Sequence, residues 1–208
     1  MTFEWDKTQS LLIQDYEPNR STSNKSSAVI VPIEIDSMGN HFILFTKRAL
    51  HLKSHPGQIS FPGGTLDPTD ANLLDCALRE WKEELGLGTE SLKIFGRLKG
   101  FDTGTGFHIT PIIAQLPKDL PYKPDQNEVA DLFSVSLEEF WNARFFVLDW
   151  KRQNREEKIY YWDLSYGLLW GATAGILHNI LTEFCLWDRK PIPVLANLDN
   201  PPFFTPNS

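Results

Sequence analysis

The sequence predicts an α/β protein built on a mixed β-sheet with helices on both faces. Three observations carry this expectation. Apolar segments of strand character come in the order strand, strand, helix, several strands, helix, without the strict strand–helix alternation of a doubly wound nucleotide fold. Residues 71–85 place Leu74, Leu78, Trp81 and Leu85 at spacings of four, three and four, a single helical stripe. The 208 residues are 41% hydrophobic and 23% charged, enough for one domain with extensions and an ordinary core.

In chain order, residues 3–14 are expected to form a short helix with Phe3, Leu11 and Leu12 apolar, followed by a polar linker from Pro18 to Ser27. Ala28 to Ile35 and His41 to Lys47 read as the two strands of a hairpin around the turn Asp36-Ser37-Met38-Gly39-Asn40. A His/Pro/Gly-rich loop then ends in a short strand at Gln58 to Phe61. The helix over 71–85 is expected to be capped by Asp70 and ended by a left-handed Gly86. Strands return at Leu92–Phe101, His108–Leu116, Val129–Val135, Phe145–Trp150 and Lys158–Trp162, and residues 167–187 read as a second long helix. The tail after Asp188 carries five prolines and is expected to be extended and packed on the surface, or disordered. The domain reading is an N-terminal extension over 1–27, the main domain over 28–187 and a proline-rich tail over 188–208.

The net charge of −7 argues against a general nucleic-acid or anionic-membrane binder, but not against a small phosphate-bearing substrate. Two cysteines far apart, Cys76 and Cys185, imply reduced thiols and a cytoplasmic setting rather than a disulfide framework. Glu4 and Asp6 stand where a signal peptide would be basic and then apolar. The stretch Leu164 to Leu181 is broken by Ser165, Thr173, His178 and Asn179, so a buried helix is expected there and no membrane span.

The chemistry concentrates around Phe61-Pro62-Gly63-Gly64 and, after fourteen intervening residues, Arg79-Glu80-Trp81-Lys82-Glu83-Glu84-Leu85-Gly86-Leu87. On a helix, Glu80, Glu83 and Glu84 fall within about a quarter-turn of Glu80, and the apolar stripe lies roughly 130° round from it. Like charges at this spacing cost a few tenths of a kcal/mol per pair. A divalent cation would remove that cost and match the carboxylate-plus-phosphate chemistry of magnesium. Alternatively, the acids form a solvated face partly neutralised by Arg79 and Lys82. Gly63-Gly64 lets backbone approach a ligand without a Cβ, and both features at this spacing favour the metal reading.

These residues resemble the Nudix box, G-x5-E-x7-R-E-U-x-E-E-x-G-U with U bulky and apolar. Arg79, Glu80, Trp81, Glu83, Glu84, Gly86 and Leu87 match it. The front departs: one extra residue separates Gly64 from Arg79, and Asp70-Ala71 stand where the first glutamate would fall. That longer form, F-P-G-G-x-x-D-x-x-D with Asp67 and Asp70, is similar to the coenzyme A diphosphatase branch. So is the block Leu44–Ala49, Lys53 and Pro56–Gly64, although Lys53 replaces a more usual arginine. Gly106-Phe107, Thr110-Pro111, Leu116-Pro117, Asn127-Glu128-Val129 and Trp170–Ala174 extend the likeness over most of residues 28–181.

The resemblance implies a Nudix α/β/α sandwich and a metal-dependent pyrophosphohydrolase using Mg2+ or Mn2+. Its substrate would be coenzyme A or its thioesters, and the products 3′,5′-ADP and 4′-phosphopantetheine or an acyl derivative. By position, Glu80 and Glu84 are the primary metal ligands, Glu83 supports them, the Gly64 carbonyl is an extra ligand and Arg79 orients a glutamate. Glu128 stands as an additional ligand, the general base or a surface ion pair. Arg48 and Lys53 are candidates for substrate phosphates or are solubilising charges, and Gly63 belongs with them beside the substrate. Phe101 and Phe107 are candidates to stack an adenine or pack a pantetheine arm, or else belong to the core. Cys76 is expected to pack, and His51, His55, His108 and His178 show no ligand spacing. Rival readings are a Nudix hydrolase for ADP-ribose, a dinucleotide or a nucleoside triphosphate, and a non-catalytic binding module on the same scaffold. A small-molecule partner is expected, with no nucleic acid and no membrane. Homodimer formation stays open.

Overall fold

Strand β1 (Lys25–Ile35) organises the first part of the chain because it is buried along almost its whole length. The computed structural model describes residues 3–18, 24–152 and 155–206, and the chain divides into two compact units at the Ser136/Leu137 junction. Five of the expected linker residues, 19–23, lie outside the described residues. The remainder of that linker is corrected: Lys25–Ser27 are already strand, paired with Phe107–Ile109 and, at Ser27, with Thr65.

In the unit up to Ser136, β1 runs parallel to β7 (Phe107–Pro117) over all eleven residues. On its other side it meets β4 (Gly63–Thr65) at Ser27–Val29 and β2 (His41–Arg48) at Ile33–Ile35, both antiparallel. Pro32, with no N–H to give, falls between the two partners, where a central strand tolerates it. The ladder runs β3-β2-β1-β7-β5, with β3 (Ile59–Ser60) and β5 (Lys93–Arg97) at its ends. Off it, β6 (Phe101–Asp102) pairs with β7 and β8 (Val129–Ser136) with β2. The expected hairpin and mixed sheet are present, while β4 was not foreseen because a three-residue strand opening on two glycines carries no apolar pattern.

Helix α2 (Leu73–Leu85) lays Leu73, Cys76, Ala77, Trp81 and Leu85 on Ala28, Ile30, Ile112, Ala114 and Leu116 of the sheet. Leu74 and Leu78 of the expected stripe are only partly buried at its margin. The small residues at 76 and 77 let the backbone approach the sheet, so the buried arc centres nearer Leu73 and Ala77 than the large side chains alone suggest. The cap differs too. Asn72 Oδ1 accepts the N–H groups of Leu74 and Asp75, and Asp70 is engaged elsewhere. Gly86 closes the helix in the left-handed conformation, φ 58°, as its position predicts.

At the N-terminus α1 is Trp5–Leu11, shorter than expected, and Ile13 exchanges two backbone hydrogen bonds with Arg97. Phe3 and Leu12 are buried, and Trp5 stacks on Phe95.

The unit from Leu137 holds a four-stranded sheet, β11-β10-β9-β12: Gly167–Trp170, Arg155–Leu164, Arg144–Arg152 and Ile192–Val194. It also holds α3 (Leu137–Asn142) and α4 (Gly171–Phe184). The expected helix over 167–187 begins only at Gly171, since Gly167–Trp170 pair with Tyr161–Leu164 instead. The tail packs: β12 joins β9, Phe204 is buried against Phe146 and Tyr161, and the Tyr161 hydroxyl donates to Pro202 O at 2.7 Å. Among the described residues no helix is long and apolar enough to cross a membrane.

Candidate active site

The glycine loop and the acidic helix meet because β4 pairs Gly63 with Val29 and Gly64 with Ala28, at the strand on which α2 packs. Gly63 has φ 147°, and a Cβ there would stand 2.3 Å from Ala28 O. At Gly64 a Cβ would fall 2.3 to 2.8 Å from the Glu80 carboxylate. The second glycine is therefore space kept for that acid, whereas the first is a backbone requirement.

Glu84 has a position that the helical wheel of large apolar residues does not suggest. It lies within about 20° of both Leu73 and Ala77 on α2, at the middle of the buried arc. It is 4% exposed, and the hydrogen bond to its side chain comes from Gly63 N–H at 3.1 Å. Burial pushes its carboxyl up to about 8. Glu80 and Glu128 push the same way, against the Gly63 N–H and the charge of Arg48. Glu80 is raised as well, by burial first and then by Glu83 and Glu128, with Arg79 opposing. These mutual effects bring Glu80, Glu84, Glu128 and Arg48 into one electrostatic neighbourhood.

Arg79 holds the outer side. Its Nε and Nη2 grip Asp70 at 3.0 Å each, Nη2 also reaches Thr65 O at 3.2 Å, and Nη1 donates to Glu80 at 2.8 Å and Glu83 at 2.9 Å. All five guanidinium N–H donors are used, which leaves none for a ligand. The Asp70 side chain is 4% exposed, and Arg79 holds it below the usual carboxylate range. Asp70 was expected as a helix cap. The signal that could have placed it beside Arg79 is the D-x-x-D segment standing where the box glutamate is missing. Lysine at 79 offers three donors for five contacts, so Arg79→Lys should lower Tm by several degrees. An unchanged thermal unfolding curve would show the network to be dispensable.

The other expected site residues divide. Glu83 is largely exposed and tied to Arg79, on the rim of the cluster rather than within it. Arg48 ends β2 and donates from Nε to Ser54 O, and Lys53 is exposed in the adjoining loop. Glu128 is half-buried, and its carbonyl accepts Ala49 N–H at 2.9 Å, which joins it to the end of β2. Phe101 and Phe107 belong to the β6–β7 hairpin, where Phe101 pairs with Ile109 and Phe107 with Lys25 of β1. From Phe101, strands β7 and β1 intervene before Gly64, so the sheet does not bring that ring to the acids. Cys76 is fully buried, donates to Gly64 O at 3.6 Å and is pushed up to about 12 by burial, then by Asp70, so no thiolate nucleophile stands here. His55, at φ 56°, serves the turn in which Gln58 N–H reaches its carbonyl. His108 is paired with Asp102.

The residues fit a hard divalent cation. The donor set is carboxylate oxygen throughout, and the deepest acid sits among like charges in a place where a lone anion is costly. Among the described residues no three His, Cys, Asp or Glu side chains already converge as a ligand set. Glu80 and Glu83 are turned to Arg79, and Glu84 to Gly63 N–H.

The NUDIX domain model matches residues 24–162. The chain is 36% identical over 162 residues to a protein of Enterobacter sp. (strain 638) named as an uncharacterized Nudix hydrolase NudL, covering 77% of this chain and 83% of that protein. The protein of the same name from Cronobacter sakazakii (strain ATCC BAA-894) is 35% identical over 173 residues, covering 83% and 89%. Among solved structures, a MutT/nudix family protein from Enterococcus faecalis aligns with a TM-score of 0.50 and 13% identity over 84% of this chain and 65% of that one, a likeness of fold alone.

Proposed function

This chain belongs to the Nudix hydrolase family, whose members act on pyrophosphate bonds, and from that premise we propose that it cleaves coenzyme A or a coenzyme A thioester to 3′,5′-ADP and 4′-phosphopantetheine or its acyl form. The observation that carries the reading is Glu84, buried at the centre of the helix face, beside Glu80 and Glu128 and hydrogen-bonded to Gly63 of β4. The substrate rests on the likeness of Leu44–Gly64, Asp67 and Asp70 to the coenzyme A branch.

Glu80, Glu84 and Glu128 would hold Mg2+ or Mn2+, with Glu83 at the rim and the Gly64 carbonyl as a further oxygen. When bound, the ion supplies charge neutralisation to the pyrophosphate during phosphoryl transfer. The chain supplies position. Arg79 engages one oxygen of Glu80, Gly63 N–H orients Glu84, and Gly64 leaves room for Glu80. In the alternative reading Glu128 is not a ligand but the base that takes the proton of the attacking water. Arg48, within charge reach of Glu84, and Lys53 hold substrate phosphates. The two buried cysteines, Cys76 and Cys185, form no disulfide, which supports a cytoplasmic setting.

Product analysis by mass spectrometry, on a panel of pyrophosphates with Mg2+ or Mn2+, tests this directly. Good turnover of ADP-ribose with none of coenzyme A would sink the substrate assignment. Arg48 tests its finer part, because coenzyme A carries a 3′-phosphate that dephospho-coenzyme A lacks. Losing a charged hydrogen bond costs about 1.5–3 kcal/mol, roughly a ten- to hundredfold effect. Arg48→Ala should lower kcat/KM on coenzyme A by that factor and leave dephospho-coenzyme A nearly unaffected. Equal losses would move Arg48 to the pyrophosphate itself.

A further inference from the structure

The end of α2 is secured by Lys123 and Asp125, which lead directly into Glu128. Helix C-termini leave carbonyls without helical partners. Here Leu85 O accepts Lys123 N–H at 2.8 Å and Glu84 O accepts Asp125 N–H at 3.0 Å. Asp125 O in turn accepts Glu128 N–H at 2.9 Å and Val129 N–H at 2.8 Å, and its side chain accepts Asn127 N–H at 2.9 Å. Two hydrogen bonds thus connect the backbone of Glu84 to that of Glu128. The approach is close: a Cβ on Gly86 would stand 2.4 Å from Lys123 O.

The same segment is anchored at both flanks to one carboxylate. Glu34, on β1, is 1% exposed. Its Oε1 accepts the Tyr122 hydroxyl at 3.0 Å, and its Oε2 accepts the hydroxyl of Ser134. Tyr122 stands just before the Glu128 segment and Ser134 just after it, on β8. The Tyr122 ring also meets Trp81 of α2 edge-on, with centroids 6.2 Å apart. Burial, then Glu34, raise the Tyr122 phenol above its ordinary range, so it stays a donor. A buried carboxylate in the central strand is expensive as mere filling.

We propose that Glu34, acting through Tyr122 and Ser134, is a positioning residue that fixes segment 122–134 against the end of α2 and so sets Glu128 relative to Glu84. The inference rests on the reading above, in which Glu128 joins the metal-holding acids. Neither Glu34 nor Tyr122 touches substrate. They act through the backbone, as outer partners do in other metal sites, where their loss weakens metal affinity by about 10- to 100-fold.

The test is Mn2+ affinity of the full-length protein, measured by electron paramagnetic resonance or calorimetry, independently of turnover. Tyr122→Phe keeps the Trp81 contact and removes only the hydroxyl. It should weaken Mn2+ binding by about tenfold, and in combination with Glu128→Gln it should add nothing to the loss that Glu128→Gln causes alone. Tyr161→Phe, which removes the hydroxyl of a different, fully buried tyrosine, should lower Tm and leave Mn2+ affinity unchanged. If Tyr122→Phe does not fold, Ser134→Ala opens the other clamp and is read the same way. Unchanged Mn2+ affinity in Tyr122→Phe or, failing that variant, in Ser134→Ala, or losses that multiply with Glu128→Gln, would overturn the positioning role alone. A wild-type protein that binds no Mn2+ and hydrolyses no pyrophosphate would overturn the functional reading along with it.

Discussion

Glu84→Gln is expected to lower kcat by about a thousandfold or more without loss of the fold. The amide keeps the size of the side chain and can still accept Gly63 N–H, so only the charge is removed. That charge lies at the middle of the buried helix face beside Glu80 and Glu128. On the proposed metal reading, several kcal/mol of transition-state stabilisation would depend on a divalent ion held there, and each 1.36 kcal/mol is tenfold in rate. Circular dichroism and Tm should match or exceed those of the metal-free wild type. Full activity of the variant, or of wild-type enzyme in excess chelator, would end the metal hypothesis.

The second large effect concerns stability against pH in the absence of metal. In the unfolded chain Glu84 titrates near 4.5, and in the folded protein near 8. Between these values the native state binds the extra proton, so the unfolding free energy falls as pH rises through the window and levels off above about 8. The loss is on the order of a few kcal/mol. Glu80, raised in the same direction, adds to it. Melting curves in chelator should therefore decline from pH 5 to pH 8. If excess Mg2+ or Mn2+ binds the deprotonated acids as proposed, it should restore Tm by an amount that grows with pH. Glu84→Gln should flatten the metal-free profile and melt above wild type at pH 8. Glu83→Gln should bring no such gain, because Glu83 is exposed and already paired with Arg79. A flat wild-type profile, or one equally steep in Glu84→Gln, would mean that Glu84 does not carry the buried charge.

The periodicity of Leu74, Leu78, Trp81 and Leu85 was sufficient to find α2 and to group Glu80, Glu83 and Glu84. It was not sufficient to rank them. The ranking depends on how closely the helix approaches the sheet, and Cys76 and Ala77 decide that by being small, which a search for large apolar residues discounts. Asp70 and Asn72 are both good caps by type. A tertiary demand separated them, since Arg79 needs a planar carboxylate and Asn72 was left for the helix. Gly167–Trp170 is an apolar run compatible with helix or strand, and pairing with Tyr161–Leu164 resolved it. The hold of 122–125 on the end of α2 is made by backbone N–H groups, which every residue but proline possesses, so no side-chain pattern announces it.

The parallel ladder between β1 and β7 also constrains how the chain comes into being. Lys25 pairs with Phe107 and Ile35 with Pro117, a constant separation of 82 residues. At typical translation rates of about 5–20 residues per second, β1 waits roughly 4–16 s for its longest partner to be synthesised. In that interval only the antiparallel contacts with β2 and β4 can form, and one edge of Ala28-Val29-Ile30-Val31, a β-branched stretch, stays open to any extended chain nearby. Pro32 does not guard that edge, because its missing donor faces the β2 and β4 side, the side to which Ile30 N–H turns to reach Pro62 O at 2.9 Å.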